Sequence, residues 1–112
     1  MEKRSKEFKQ GDIVFLDFDS TKGHEQKGKR PAVIVSNEEF GKFTGLHIVC
    51  PITNNTKNFP THVNLDTRTK VTGSILCEHL KSLDLIARHA EYKESIPEDI
   101  LEEVMDIINA CF

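Results

Sequence analysis

The sequence contains no long hydrophobic run, no even set of cysteines and no low-complexity segment. Its apolar runs are far shorter than the ~20 residues that a transmembrane helix needs, and no apolar stretch follows the charged residues 1–10 as in a signal peptide. The three cysteines, Cys50, Cys77 and Cys111, are odd in number and lie in apolar surroundings. We therefore expect a cytoplasmic protein without membrane contact, with reduced core cysteines and frayed residues 1–10.

Metal-ligand spacing and strand–helix alternation are also missing. No set of His, Cys, Asp and Glu follows the spacing of a metal site, so we expect neither a metal nor a cofactor. Without strand–helix alternation, a parallel sheet is not expected. With 112 residues, of which 38% are hydrophobic and 29% charged, the chain is predicted to form a single domain over residues 1–112.

The charge of the chain is unevenly divided. Its formal net charge is −3. Residues 91–112 carry seven acids and one lysine, a net charge of −6, which leaves fourteen bases and eleven acids, a net charge of +3, in residues 1–90. A mildly basic body permits a local groove for nucleic acid but does not require one.

Short segments rich in β-forming residues are separated by polar turns along most of the chain. Asp19 to Lys29 is expected to be a long charged connection, and connections of that length are usually functional or mobile. Asn37 is expected to cap a single helical turn, followed by a turn at Gly41 to Gly45. The predicted strands cover residues 12–18, 30–36, 46–52 and 61–65, and a fifth begins with residues 74–77 and extends toward Leu80.

The hydrophobic period changes from Ser95 onward, where one apolar stripe indicates a helix with acidic residues opposite. Ser95 and Glu98 are typical of a capping box, although Pro97 equally suits the first helical position. Together with five or more short strands, this helix predicts a mainly β, α+β domain built as a small antiparallel barrel. The stripe consists of Ile100, Leu101, Val104, Met105, Ile108 and Cys111.

Arg30 stands out because Pro31 follows it at the beginning of an apolar run. Pro31 lacks an amide proton and has a fixed φ, so it suits the start of a strand, and it favours extended backbone at the preceding residue. The planar guanidinium fork of Arg30 matches the geometry of a phosphate. The sequence therefore predicts an anion site at this strand end, directly after a loop that contains glycines.

Several blocks resemble, in order and at matching spacing, the MazF/PemK toxin endoribonucleases. The likeness extends from about Gly11 to the C-terminal helix. This resemblance implies an SH3-like barrel with added helices, which agrees with the pattern of strands. The blocks are Asp17-Phe18-Asp19, Thr21-Lys22-Gly23, Glu25-Gln26, Gly28, Arg30-Pro31-Ala32-Val33, Pro51-Ile52-Thr53, Phe59-Pro60 and Lys81-Ser82-Leu83-Asp84.

The resemblance implies that Arg30 and Thr53 are catalytic and that Glu25 supports them. RNA cleavage without a metal needs a base for the 2′-hydroxyl, an acid for the leaving 5′-oxygen and donors for the charged phosphorus centre. Arg30 suits the charged centre, Thr53 can donate a hydroxyl, and Glu25 can carry a proton. Which group is the base and which the acid stays open. The implied products are a 2′,3′-cyclic phosphate, or its opened monophosphate, and a 5′-hydroxyl.

Seven further residues are predicted to bind the RNA. His79 stands where the family commonly has glutamine, so its substrate contacts depart from the family pattern. The seven are Lys22, Gln26, Lys29, Asn54, Phe59, His79 and Lys81.

Each of these residues also has an ordinary structural interpretation. A lone arginine at a strand start is usually a solvated charge. A threonine at a strand end usually forms a hydrogen bond to nearby backbone through its hydroxyl. Phe43 and Phe59, beside turn residues, are more often core residues than stacking platforms. Four histidines alternate with apolar neighbours and are interpreted as strand-face residues: His47, His62, His79 and His89.

Three functions are compatible with the sequence. The leading one is a toxin that cuts single-stranded RNA at a short sequence; the resemblance implies a homodimer and a cognate antitoxin whose acidic C-terminal segment fills the RNA groove. A gyrase-poisoning toxin on the same barrel is disfavoured, because those relatives use a tryptophan near the C-terminus and this chain has none. A non-catalytic SH3-like interaction module is the third.

Overall fold

The computed structural model describes residues 8–18, 29–55 and 58–112. The predicted strands are confirmed in position, with shorter or shifted ends, and two further short strands follow them. The elements in chain order are β1 Asp12–Leu16, β2 Arg30–Ile34, α1 Glu38–Thr44, β3 His47–Thr53, β4 His62–Asn64, β5 Ser74–Leu76, β6 Lys81–Leu83, β7 Glu91–Ser95 and α2 Glu98–Cys111.

All strand pairings are antiparallel, and the strands lie in the order β4-β5-β3-β2-β1-β7, with β6 pairing the other part of β3. The mainly antiparallel architecture with two helices is therefore confirmed. Within residues 8–18, 29–55 and 58–112, no pairing joins β4 to β7 and closes the sheet. The SH3-like barrel accordingly stays a prediction.

The sheet buries apolar side chains on both faces because residues along its strands alternate between two clusters. Ile13, Val33 and Cys50 contribute to one cluster, which also contains the apolar stripe of α2 except for its last residue, Cys111. Their neighbours Val14, Ala32 and Val49 belong to the second cluster, on the opposite face, with Leu85. Helix α2 therefore covers only one face and leaves the other to the turns and β6.

The helices differ from the sequence predictions at their ends. Asn37 caps α1 as predicted, since its side chain accepts a hydrogen bond from the Phe40 N–H at 2.9 Å. The helix then continues through the predicted turn and ends at Gly45, whose φ of 74° is left-handed. In α2, Pro97 is the N-cap and makes no side-chain cap bond. The capping box is therefore wrong, and the Ser95 hydroxyl instead donates to Asp12 Oδ1 at 2.9 Å.

The cysteines and histidines separate into buried and exposed members. Burial raises the pKa of the Cys50 and Cys77 thiols to about 12, whereas Cys111 is exposed; the prediction of three core cysteines is wrong for this last residue. His79 follows the turn at Cys77 and Glu78, and His89 lies in a turn, so neither is on a strand face. Among the described residues, no helix has the length and apolar character needed to cross a membrane.

Candidate active site

Arg30 and Thr53 lie at adjacent ends of two neighbouring strands. Arg30 is the first residue of β2 and Thr53 the last of β3. The pair Ala32 and Pro51 sets an antiparallel register, which, continued for two residues, aligns Arg30 with Thr53. Residues directly opposite in such a pair share a face, with Cβ atoms about 4.5–5.5 Å apart. The two predicted catalytic residues, 23 positions apart in the chain, therefore end neighbouring strands, and the β2–β3 register, continued beyond its last pair, would set them opposite each other.

A row of polar residues continues from this pair across the sheet. Thr53 pairs with Ser74 of β5, and Ser74 pairs with Asn64 of β4. Ser74 is buried, and its hydroxyl donates to Asn64 Oδ1 at 2.6 Å. On the other side, Arg30 pairs with Leu16 of β1, a member of the second apolar cluster. The row therefore lies on the face that α2 does not cover, at the edge of that cluster.

Local contacts hold Thr53 in place. Its hydroxyl oxygen accepts a hydrogen bond from the Asn55 N–H at 3.1 Å, so the structural interpretation of Thr53 as a turn residue is correct as far as it goes. The backbone of Gly73, at φ 123°, approaches so closely that a Cβ there would lie 2.7 Å from the Thr53 carbonyl oxygen. Asn54, next in the chain, accepts a hydrogen bond from Thr72 at 3.1 Å.

Arg30 is exposed, and within residues 8–18, 29–55 and 58–112 no acid forms a salt bridge with it. Its neighbour Lys29 differs, because the Lys29 ammonium donates to the His89 carbonyl at 2.9 Å and to Glu91 at 3.2 Å. The positive charge of Lys29 is thus already partnered by β7. Of the two cations that the structure describes at this strand end, Arg30 is the one without a salt bridge to a described acid.

Phe59 lies at the rim of a second group of polar residues around Glu78. The Glu78 carboxylate accepts the Thr61 hydroxyl at 2.6 Å and lies 3.0 Å from His62 Nε2. His79 Nε2 is 3.7 Å from the same carboxylate. Burial opposes ionisation of Glu78, but the hydrogen bonds from Thr61 and His62 outweigh it, so its pKa lies below its ordinary value.

The exposure of Phe59 decides between its two interpretations. Its side chain is 58% exposed and its ring centroid lies 5.3 Å from that of His62. Phe43 is 86% exposed. The prediction of a core position is therefore wrong for both residues. The exposed Phe59 ring presents a surface on which a base can stack. Lys81 is exposed at the start of β6, opposite Val49 of β3.

Sequence reasoning missed Glu78, Asn64 and Ser74. Glu78 is not part of any recognisable motif, and only the pairing of β4 with β5 brings it against His62. The alternation of Asn64 with apolar neighbours was the one available signal. Lys22, Glu25 and Gln26 lie outside the described residues, and their predicted roles stay predictions.

No group of three or more His, Cys, Asp or Glu side chains that could hold a metal occurs in the described part of the chain. Arg30 and Thr53 offer a permanent positive charge and a hydroxyl at the ends of two neighbouring strands. Such a pair can bind a phosphodiester and stabilise negative charge that develops on it.

Comparison with known proteins identifies close relatives. Residues 9–112 match the family described as "PemK-like, MazF-like toxin of type II toxin-antitoxin system". The chain is 34% identical to the endoribonuclease PemK of Escherichia coli over 107 residues, covering 92% of this chain and 80% of the relative. It is 35% identical over 99 residues to the endoribonuclease toxin MazF of E. coli K12, covering 88% of each.

Solved structures show the same likeness. The crystal structure of MazF from Deinococcus radiodurans has a TM-score of 0.79 at 37% identity, covering 92% of this chain and 94% of that one. A MazE–MazF crystal structure from the same organism has a TM-score of 0.78 at 33% identity, covering 92% of both chains.

Proposed function

The chain belongs to the PemK-like, MazF-like toxin family of type II toxin–antitoxin systems, and we propose that it cuts single-stranded RNA at a short sequence without a metal ion. It is an endoribonuclease, as its relatives in this family are. The observation that carries the proposal for its site is the register between β2 and β3, which, continued for two residues past Ala32 and Pro51, sets Arg30 opposite Thr53. The consequence in the cell is the destruction of mRNA in the cytoplasm and the arrest of translation.

In the proposed reaction the 2′-oxygen attacks the adjacent phosphorus while its proton passes to a base. The bond from phosphorus to the 5′-oxygen breaks, and that oxygen takes a proton from an acid. The products are a 2′,3′-cyclic phosphate and a 5′-hydroxyl. Atoms and charge balance without a metal or other cofactor.

Arg30 stabilises the negative charge on the equatorial oxygens, because its guanidinium is permanently charged and its fork matches two of them. The Thr53 hydroxyl accepts the Asn55 N–H, so its own proton is left to donate to the phosphate. Glu25 is the proposed proton carrier beside Arg30, acting as base or acid.

The bases of the RNA are proposed to lie along the polar row and toward Phe59. Its exposed ring provides a stacking surface, and His79 and Asn54 present polar groups that can read base edges. Lys81, with Lys22, Gln26 and Lys29, is proposed to contact the RNA strand. Release of Lys29 from Glu91 would accompany such a contact.

A cognate antitoxin with an acidic C-terminal segment is the proposed protein partner, since carboxylates can occupy the phosphate positions near Arg30. The relative from D. radiodurans is known as a MazE–MazF pair. We further propose a homodimer on the SH3-like barrel that the family implies. The acidic segment and RNA are then expected to compete for the same face.

The test is cleavage of a mixed RNA pool by the purified protein, followed by sequencing of the cut ends. Wild type is expected to cut at one short sequence and leave 5′-hydroxyl ends. Arg30→Ala should lose at least about 100-fold in kcat, in line with the removal of one donor to a developing oxyanion, and Arg30→Lys should recover only part of it. Lys42→Ala, which removes an exposed charge from α1, is the matched control.

Two outcomes would overturn the proposal. If the Arg30→Ala protein cuts at the wild-type rate, the site is misplaced. If the folded wild-type protein cuts no RNA, the proposed enzymatic function fails in favour of a non-catalytic interaction module.

A further inference from the structure

The segment from Asp84 to Glu91 contacts the chain on both sides of the connection between β1 and β2. We propose that Arg88, within this segment, is a positioning residue for cleavage because it fixes the backbone that carries Arg30. The inference rests on the proposed function of Arg30. Arg88 itself is not proposed to touch the RNA.

The first contact is made with the end of β1. The Arg88 Nη1 group donates to the carbonyl oxygens of both Asp17, at 3.1 Å, and Phe18. In return, the Arg88 carbonyl accepts the Asp17 N–H at 3.0 Å. These groups directly follow Leu16, the partner of Arg30 in the sheet. One side chain thus satisfies two carbonyls at the place where the β1 ladder ends and backbone partners are lost.

The second contact is made with the residue before Arg30. The Lys29 ammonium donates to the carbonyl oxygen of His89 at 2.9 Å and to Glu91 at 3.2 Å. His89 also lies 3.1 Å from Asp17 through its ring Nδ1. His89 has a φ of 58°, which is uncommon outside glycine. That conformation is therefore maintained by the contacts around it, two of which reach the β1–β2 connection.

The Asp84–Glu91 segment has the internal bonds of a rigid support. Asp84 Oδ1 accepts the N–H groups of Ile86 and Ala87, both at 3.1 Å. The Arg88 N–H donates to the Asp84 carbonyl at 3.0 Å. Leu85 anchors the segment in the second apolar cluster, where it is 1% exposed. A segment that is anchored in the core in this way can hold the strand ends beside Arg30 at a fixed distance from the core.

A positioning residue and a merely stabilising residue affect the cleavage rate differently. Small displacements of a catalytic group, of about 1 Å, cost about 100-fold in rate, whereas a stabilising contact affects rate only through the fraction of folded protein. Arg68 offers the matched comparison: its guanidinium binds Asp66 at 2.9 Å and Asp99 at 3.0 Å. It is also an arginine with several charge-assisted bonds, but it joins the β4–β5 loop to α2.

The experiment compares Arg88→Gln, Arg88→Lys and Arg68→Gln in steady-state cleavage of a short RNA, at a temperature where each is folded. Arg88→Gln is expected to lower kcat about 10- to 100-fold with KM changed less than about twofold. Arg88→Lys should recover part of the kcat, because an ammonium can still donate to one carbonyl. Arg68→Gln should lower Tm and leave kcat unchanged.

Amide hydrogen exchange gives a readout that does not depend on cleavage. Arg88→Gln should speed exchange at the amides of residues 29, 30 and 32, while Arg68→Gln should not. Wild-type kcat in Arg88→Gln, or equal loss in Arg68→Gln, would overturn the inference, and so would unchanged exchange at the amides of residues 29, 30 and 32. If wild type itself cleaves no RNA, the proposed function fails, and the exchange data alone decide whether Arg88 fixes the Arg30 backbone.

Discussion

Gly73 provides the sharpest test of how the site is held, because its backbone lies directly against Thr53. Gly73 has a φ of 123°, and a Cβ added there would meet the Thr53 carbonyl oxygen at 2.7 Å and its carbon at 2.9 Å. Ordinary contact begins at 3.4 Å. In Gly73→Ala, the alanine is strained at this φ, and the end of β3 must in addition retreat by about 0.7 Å to reach ordinary contact.

Both responses have a measurable size. Backbone strain of this kind costs about 1–3 kcal/mol, and overpacking costs a similar amount, so we expect the free energy of unfolding to fall by about 2–6 kcal/mol. A shift of Thr53 by about 0.7 Å should lower kcat at least about tenfold. Urea unfolding and single-turnover cleavage measure the two effects separately.

Gly45 supplies the control. It also has a positive φ, 74°, but a Cβ there would meet nothing within 4 Å. Gly45→Ala should therefore lose only about 1–2 kcal/mol and keep its cleavage rate. If Gly73→Ala is no less stable than Gly45→Ala and cuts as fast as wild type, the close approach to Thr53 has no role in shaping the site.

Three other predictions concern stability and metal. The pKa of Glu78 is depressed from its ordinary value of 4.5. The hydrogen bonds of its carboxylate therefore stabilise the fold above pH 4.5, and this stabilisation is lost as the pH falls through the lower pKa of the folded state. In acid urea titrations, the difference in unfolding free energy between wild type and Glu78→Gln should shrink between about pH 5 and 3. Ile100→Ala, at a 4% exposed position in the α2 core, should lower unfolding free energy by about 2–5 kcal/mol in the same assay, and an unchanged value would contradict the packing. Cleavage should persist in excess chelator, and its loss, restored by a divalent ion, would refute a metal-free mechanism.

Local signals in the sequence predicted the parts of the fold that local physics decides. Pro31 marked the start of β2, Asn37 the start of α1, and the apolar stripe marked α2. Strand β7 was missed because its residues Glu91 to Ser95 lack an apolar face and most are exposed. It is a strand only because β1 provides its partner.

The candidate site divides in the same way. Arg30 and Thr53 were predictable as strand-end residues, and the resemblance to a family assigned them chemistry. Their alignment depends on the register between β2 and β3, which no single segment determines. The contacts of Glu78 with His62 and of Arg88 with Asp17 join residues 16 and 71 positions apart, beyond the reach of any local pattern.

The pairing of β1 with β7 sets an order of events during synthesis. Asp12 and Ser95, which are hydrogen-bonded partners, are separated by 83 positions. At about 5–20 residues per second, the ribosome needs about 4 to 17 s to deliver the second partner after the first. During that interval one edge of β1 has no paired strand. Arg88, which contacts the end of β1, is made only shortly before β7. On the proposed role of Arg88, a partly made chain lacks the support for Arg30 until residues 84–91 have been synthesised, so we expect cleavage activity to appear only late in synthesis.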